Sequence, residues 1–257
     1  MRPLLTLAGL LAVWEAVVRG FAIPSYLLPP PSAVAQAFAL HIEMLARNAA
    51  VTVAEMLIGL LLGALLGASA ALALLLSTRA RRWLLPLLVA SQAVPVFALA
   101  PLLVLWFGYG LASKVAMALL IIFFPVAVTL YDGLRRTDPG LLDLARVMTA
   151  DARQHRLRVL SEIRLMAALP SLFSGLKVAA AVAPIGAVIG EWVGASAGLG
   201  YVMLQANARV QIDVMFAALF ALALCAVSLY AIVDYLSRRL LPWQADSHLS
   251  LRSTEES

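Results

Sequence analysis

Long apolar runs separated by short polar segments make up most of this chain. The hydrocarbon core of a bilayer, about 30 Å thick, is crossed by about 20 apolar residues of α-helix. Six runs have approximately this length, and we predict a membrane-spanning helix for each of them. The six predicted spans are Leu4–Phe21, Val53–Leu76, Leu84–Phe107, Val115–Tyr131, Ser171–Val193 and Val214–Leu236.

The composition agrees with a membrane location. Hydrophobic residues make up 63% of the 257 residues and charged residues 13%, against about 25% charged in an average soluble domain. We therefore predict an all-α integral membrane protein. A cleavable signal peptide is the alternative interpretation of the first run, but no small-x-small cleavage site follows it, and we expect an uncleaved first helix.

The basic residues indicate the orientation of the spans. If the N-terminus is cytoplasmic, fourteen arginines fall in cytoplasmic segments, and the opposite side holds only Arg19, Arg47, Lys114 and Arg209. An excess of basic residues is typical of cytoplasmic loops. We therefore expect both termini in the cytoplasm. This bias also accounts for the net charge of +5, so that a nucleic-acid partner is not needed to explain it.

Several kinds of chemistry have no candidate residues. The single cysteine, Cys225, lies inside the sixth predicted span, and the three histidines are too scattered to suggest a metal site or a catalytic base. Neither lysine follows a glycine in a phosphate-binding loop. We expect no catalytic residue, no metal and no cofactor on this chain. If ATP drives its function, another subunit must bind the ATP.

Proline and glycine residues occur within several of the predicted spans. Prolines occur at Pro86, Pro95 and Pro101 in the third span and at Pro184 in the fifth. Glycines recur every four residues in the second span, at Gly59, Gly63 and Gly67, a spacing that lets helices approach closely. Packing kinks in a static bundle are one interpretation. Broken helices in several spans favour a bundle that moves.

The first two spans are joined by a segment that contains three prolines, Pro29 to Pro31, which prevent the first helix from continuing. Ser32 is a candidate N-cap for a short helix that ends near Arg47, on the outer membrane surface. Linkers and internal repeats are absent from the sequence, so residues 1–243 are predicted to form a single domain. The polar tail, residues 244–257, is expected to be disordered.

Among the carboxylates within or beside predicted spans, three are candidates for a functional role, since a charge costs about 2.5–3.5 kcal/mol at the bilayer centre. Asp234 is expected to be structural, since it can pair with Arg238 one turn away. Glu55 is expected at the membrane interface. Glu191, beside the flexible sequence GASAGLG, is the best candidate for a residue that faces a translocation pathway.

One long basic segment, residues 137–170, interrupts the apolar runs. Asp138 is a good N-cap and Pro139 suits the first helical position. The apolar residues that follow form one stripe of a first short helix, at Leu141, Leu144, Ala145 and Met148. A second short helix is predicted around Leu157, Leu160 and Ile163. Two cytoplasmic amphipathic helices require a partner, either anionic lipid or a protein groove.

This segment resembles the cytoplasmic EAA loop of binding-protein-dependent ATP-binding-cassette (ABC) importer permeases. The stretches LLDLARVM and IRLMAALPSLFSGLK carry the resemblance. Asp143 stands at the family's glutamate, and Leu144 and Ala145 stand at its two alanines. The resemblance implies a coupling helix that docks into an ATPase subunit. The ATPase-coupling residues would be Asp143, Leu144, Ala145, Arg146, Met148 and Thr149.

The segment departs from the family pattern at two positions and in length. Thr149 replaces the turn glycine, and Met166 replaces the proline after the family's Ile-x-Leu. The spacing from Thr149 to Ile163 is longer by about one helical turn. We expect the general role to be retained with an altered docking geometry.

Four further stretches resemble the branch of these permeases that serves aliphatic sulfonates, taurine, nitrate and thiamine precursors: LPPPSAVAQAF, PLLVLWFGYG, FFPVAVTLYDGLRRTDPG and GAVIGEWVGASAGLGYVM. The resemblance implies a type I ABC importer permease fold of six transmembrane helices, with a coupling loop at about residues 133–170, in a bacterial inner membrane. It also implies a homodimer that works with a cytoplasmic ATPase and an extracytoplasmic solute-binding protein.

The resemblance is strongest to permeases for hydroxymethylpyrimidine-type thiamine precursors, and sulfonate, taurine or nitrate transport is the alternative. A secondary transporter that uses Glu191 or Glu55 to couple protons, and a membrane anchor whose basic loop binds lipid, are the competing classes. Polar and aromatic residues expected near the translocation pathway are Gln92, Trp106, Glu191 and Gln205.

Overall fold

The computed structural model describes residues 2–148 and 158–243. All regular structure in these ranges is helical. In chain order the α-helices are α1 (Arg2–Gly20), α2 (Pro31–Leu40), α3 (Ile42–Leu76), α4 (Thr78–Ser91), α5 (Val96–Phe107), α6 (Leu111–Arg135), α7 (Pro139–Met148), α8 (Leu165–Gly194), α9 (Leu199–Ala208) and α10 (Ile212–Leu240). A π-helical turn, Val159–Arg164, leads directly into α8.

Four of the described helical stretches are long and apolar enough to cross a membrane: α3, α6, α10, and the π turn together with α8. They confirm the second, fourth, fifth and sixth predicted spans as long apolar helices. The first predicted span coincides with α1, which does not belong to this group. A sixth span therefore stays a prediction.

The third predicted span is not one straight helix. It consists of α4 and α5, which are bent by 103° and count as a fifth span if the pair is taken together. The break falls at Pro95, which precedes α5 in an extended conformation. Proline removes a backbone donor and pushes the preceding residue out of the helical region. Pro184 does not have this effect, because α8 runs through it without interruption.

The prediction that Ser32 caps a helix extending to Arg47 is wrong. Helix α2 starts at Pro31 without a side-chain cap and ends at Leu40, and Arg47 belongs to α3. A proline in the first helical turn has no N–H to satisfy. The Ser32 hydroxyl instead donates to Glu15 Oε1 at 2.8 Å, and its backbone N–H donates to Oε2 at 3.0 Å.

The chain divides into two compact units. The first unit comprises Met1–Gly59, Pro95–Leu119 and Ala183–Val227, and the second comprises Leu60–Val94, Leu120–Val182 and Ser228–Ser257. In the first unit, Leu45 of α3 and Leu199 of α9 are buried in one apolar cluster with Ala217 and Ala218 of α10. Trp14 of α1 packs against this cluster.

In the second unit, glycines bring helices into close contact. A Cβ atom on Gly63 would lie 2.5 Å from Ile122 Cγ2 of α6, and one on Gly67 would lie 2.7 Å from the carbonyl oxygen of Phe123. This confirms close helix approach at two of the three glycines whose spacing predicted it. In the same unit, Asp234 forms an ion pair with Arg238 at 2.9 Å, as predicted, and another with Lys177 at 2.6 Å.

The second half of the basic segment differs from the prediction of a separate amphipathic helix. Leu160 and Ile163 are half-buried in the π turn, which continues into α8. Helix α7 packs against this turn. Leu157, Thr149 and the tail from residue 244 lie outside the described residues.

Candidate functional site

The polar side chains that are almost completely buried in the first unit include Thr52, Glu55, Lys114 and Glu191. Three of them carry a charge in their ordinary protonation states. A charged group removed from water requires an opposite charge or several hydrogen bonds, since otherwise its desolvation is not compensated. The contacts of these four residues therefore show how the unit tolerates charge in its interior.

Glu55 and Lys114 form a buried ion pair between α3 and α6. Lys114 Nζ lies 2.7 Å from Glu55 Oε1, and the lysine and glutamate side chains are 8% and 1% exposed. Glu55 Oε2 has no hydrogen-bond partner in the part of the chain that the structure describes. The protein itself thus encloses Glu55, for which the sequence predicts a position at the membrane interface.

Glu191, at the end of α8, binds the N-terminus of α9. Its carboxylate accepts hydrogen bonds from the backbone N–H groups of Gly200 and Tyr201, at 2.5 and 3.3 Å. The Thr52 hydroxyl also donates to Glu191, at 2.6 Å. The first turn of a helix leaves N–H groups without intrahelical partners, and a carboxylate there also interacts favourably with the helix dipole.

Two side chains of α3 complete this cap. Asn48 Oδ1 accepts from the Gly198 N–H at 2.8 Å, and Thr52 Oγ1 accepts from the Leu199 N–H at 2.8 Å. Four consecutive backbone donors, Gly198 to Tyr201, are therefore satisfied by only three side chains. This constellation, Asn48, Thr52 and Glu191 around the start of α9, is called the α9 cap below.

The α9 cap leaves no space for a side chain at Gly198. This residue has φ +120° and ψ 164°, a combination that is almost exclusive to glycine. A Cβ atom at this position would overlap the Glu191 carboxylate. The glycine permits the carboxylate to reach the backbone N–H groups beyond it.

A cavity of about 510 Å³ lies beside the ion pair and the α9 cap in the first unit. Its lining includes Glu55, Lys114 and Glu191, and also Gln205 from α9. Aromatic side chains contribute to the wall at Tyr109, Trp192 and Tyr201. The arrangement combines charged, amide and aromatic groups around a space large enough for a small organic molecule.

The cavity brings together two of the four residues predicted near a pathway, Glu191 and Gln205. Gln92 is exposed after the end of α4, and Trp106 of α5 is 67% exposed; neither lines this cavity. The carboxylate of Glu191 is engaged in the α9 cap. Pathway roles for the four residues stay predictions.

Lys114, Asn48 and Thr52 were not predicted as members of this site. Lys114 was counted only among the basic residues that indicate the orientation of the spans, although a lysine at the edge of an apolar run indicates a buried partner. The available signal is one glutamate and one lysine at the edges of the second and fourth apolar runs, which the sequence alone does not bring together. Asn48 and Thr52 give no comparable signal, because their roles depend on contacts about 150 residues away in the chain.

Helix α7 begins as the sequence predicts. The Asp138 carboxylate accepts from the Gly140 N–H at 2.7 Å, and Pro139 occupies the first helical position. Asp143 is exposed along the helix. The side chains of Arg146 and Met148, and the whole of Thr149, lie outside the described residues.

The apolar side chains of α7 do not form the stripe expected from the sequence. Leu141, Leu144 and Val147 are 46%, 55% and 86% exposed, whereas Ala145 is only 9% exposed. Ala145 thus contacts the protein, and Leu141, Leu144 and Val147 form an outward apolar face, called the α7 face below. Of the motif residues whose side chains are described, Asp143 and Leu144 are exposed, and Ala145 is buried.

Comparisons with known proteins agree with these features. Residues 59–242 match the family model described as "Binding-protein-dependent transport system inner membrane component". A probable ABC transporter permease protein from Haemophilus influenzae is 51% identical over 241 residues, which are 94% of this chain and 97% of the relative. The formylaminopyrimidine transport permease protein ThiX from Halalkalibacterium halodurans is 39% identical over 95% of this chain and 96% of its own length.

A solved structure shares the fold. The crystal structure of an amino acid ABC transporter with histidines aligns with a TM-score of 0.59 at 17% sequence identity. The alignment covers 78% of this chain and 96% of that chain. This likeness supports the type I importer fold predicted from the sequence.

Replacing Gly198 tests the α9 cap. Gly198→Ala should destabilise the protein by about 2–4 kcal/mol, because the new methyl group displaces the Glu191 carboxylate and leaves buried N–H groups unpaired. Gly108→Ala is a matched control: Gly108 has φ 77° and ψ 176°, and a Cβ atom added to it would meet nothing within 4 Å. Thermal unfolding of the detergent-purified variants measures the difference. Equal losses in the two variants would contradict the cap.

Proposed function

Since this chain belongs to the family of binding-protein-dependent inner-membrane transport components and is the permease subunit of an ABC importer, we propose that its solute is a hydroxymethylpyrimidine-type thiamine precursor. The permease itself is not an enzyme, and ATP hydrolysis belongs to a separate subunit. Family membership implies two partners, an ATPase and a solute-binding protein. The protein is a multi-pass protein of the inner membrane.

The identity to ThiX carries the substrate proposal. That relative is named a formylaminopyrimidine permease, and the 39% identity extends over nearly the whole of both chains. Formylaminopyrimidine and hydroxymethylpyrimidine share an aminopyrimidine ring, and they differ in the substituents. A permease that admits one therefore needs little change to admit the other.

The α7 face is proposed as the ATPase-docking surface. An amphipathic helix binds a protein groove through apolar residues on one side, and Leu144 lies in the middle of the exposed face between Leu141 and Val147. Ala145 supports the helix from behind by packing against the permease. Asp143, Arg146, Met148 and Thr149 are included in the proposed coupling region by their positions in the family motif.

The transport cycle follows from this arrangement. We propose that two copies of the permease form the pathway, with both termini in the cytoplasm. ATP binding would close two ATPase subunits and move the two α7 helices with them. Gln92, Trp106, Glu191 and Gln205 are proposed to line the route that opens and closes as a result.

Leu144→Arg tests the docking surface. An arginine at the centre of an apolar contact should reduce the ATPase recovered with the tagged permease in mild detergent at least about tenfold. Trp243→Arg is the matched control, because Trp243 is a 59% exposed apolar residue that follows α10 and is outside α7. Retention of the ATPase by Leu144→Arg, or equal loss in both variants, would refute docking through α7.

Uptake of radiolabelled hydroxymethylpyrimidine tests the substrate. Cells that lack their own uptake and express the permease with its ATPase and binding protein should show saturable uptake. Inactivating the phosphate-binding loop of the ATPase should abolish it, whereas an uncoupler should not abolish it while ATP is maintained. Taurine or an aliphatic sulfonate in large excess should leave uptake unchanged. Absence of saturable pyrimidine uptake, with ATP-dependent uptake of labelled taurine or of a labelled aliphatic sulfonate in its place, would reject the proposal.

A further inference from the structure

A second cavity, of about 310 Å³, lies in the first unit between α1, α2 and α10. Its wall includes Leu11 and Trp14 of α1, Ala35 and Phe38 of α2, and Phe220 of α10. Each described side chain that lines it is apolar or aromatic, so water would find few of the polar partners that it needs. Because Leu11 and Phe220 are 37% and 43% exposed, the cavity opens to the surface of the helices.

Contacts between the surrounding helices hold the cavity in shape. The Trp14 ring stacks on Phe220 with centroids 6.1 Å apart, and Phe216 lies 5.8 Å from the same ring. Two hydrogen bonds from Ser32 of α2 to the Glu15 carboxylate join α2 to α1. The apolar space is therefore preformed, as is usual for the binding site of a small ligand.

An ion pair lies next to this cavity. Glu15 follows Trp14 and Ser32 follows Pro31 in the chain, and both Trp14 and Pro31 line the cavity. Arg19 Nη2 lies 2.6 Å from Glu15 Oε1, and the two side chains are 69% and 25% exposed. The guanidinium has five N–H donors, of which Glu15 and Ser32 engage only some. The remaining donors can bind a phosphate group.

The neighbouring residues are typical of the boundary between lipid and water. The segment between α1 and α2 exposes Phe21, Tyr26 and Leu27 by 80%, 59% and 64%. Aromatic side chains are enriched at the level of the lipid headgroups. We therefore expect the ion pair at this level, with the apolar cavity beside it.

We propose that the cavity and the ion pair form a binding site for one phosphatidylethanolamine molecule, with an acyl chain in the cavity and the headgroup at Glu15 and Arg19. The phosphate accepts from Arg19, and the ammonium group donates to Glu15. One cation beside one carboxylate has no net charge and complements a zwitterionic headgroup. Phosphatidylglycerol offers no cation to Glu15, and the ammonium of phosphatidylcholine has no N–H to donate. This inference is independent of the identity of the solute.

Native mass spectrometry of the permease–ATPase complex tests the site. The complex is delipidated in mild detergent and titrated with phosphatidylethanolamine, phosphatidylcholine or phosphatidylglycerol, all with the same acyl chains. One phosphatidylethanolamine should bind per permease chain, at least about tenfold more tightly than either of the other lipids, because only its headgroup pairs with both charges.

Two variants locate the lipid. Ala35→Phe fills the cavity and should weaken phosphatidylethanolamine binding at least about tenfold, whereas Ala39→Phe adds the same ring to an exposed position of α2 outside the cavity. Arg19→Gln should weaken binding about threefold to tenfold. Its matched control is Arg47→Gln, since Arg47 is also an exposed arginine paired with a glutamate four residues earlier. ATPase co-purification verifies that each variant is assembled.

The outcomes separate the two parts of the site. Equal affinity for the three lipids, or unchanged phosphatidylethanolamine binding in both Ala35→Phe and Arg19→Gln, would overturn it. Tighter binding of phosphatidylglycerol would overturn the assignment of the headgroup. Should Ala35→Phe fail to assemble, Arg19→Gln and the comparison of the three lipids still decide the result.

Discussion

Charges can be buried in an apolar helical protein only when other groups of the protein replace the water that they lose, and the first unit depends on this constraint. Glu55 and Lys114 compensate each other across α3 and α6. Removal of one member of such a pair typically costs about 3–5 kcal/mol, because the other charge is left without a partner. The ion pair therefore fixes which faces of these two helices are opposed.

In the α9 cap, backbone N–H groups compensate the buried Glu191 carboxylate for the water that it loses. Glu191 receives two N–H donors of α9 and the Thr52 hydroxyl, and Asn48 satisfies Gly198. The short helix α9 thereby gains a defined position relative to α3 and α8. Gln205, on α9, reaches the cavity as a consequence of that position. The position of Gln205 at the cavity thus depends on the same few polar residues that hold α9 in place.

Local features of the chain were predictable and non-local ones were not. Long apolar runs predicted α3, α6, α8 and α10 because length and hydropathy are properties of a single segment. Of the prolines in the spans, only Pro95 lies at a break, whereas Pro184 lies within a continuous helix. The sequence alone does not distinguish these cases, because neighbouring helices decide which kinks are tolerated.

In the candidate site, too, local contacts were predictable from the sequence and non-local contacts were not. The cap of α7 by Asp138 is a contact between near neighbours and was predictable. The burial of Ala145 and the exposure of Val147 were not, because they depend on how α7 packs against other parts of the fold. The pairing of Glu55 with Lys114, which are 59 positions apart, requires the fold itself. Resemblance to a family can replace this missing information about non-local contacts only for residues that lie within a recognised motif.

A double-mutant cycle on Glu55 and Lys114 tests the central claim most directly. The free energies of unfolding of Glu55→Gln, Lys114→Met and the double variant would be compared with that of the native protein in one detergent. If the pair organises the first unit, each single change is strongly destabilising, and the double variant loses at least about 1–3 kcal/mol less than the sum of the two. Additive losses would show that the two charges act independently and would contradict the account.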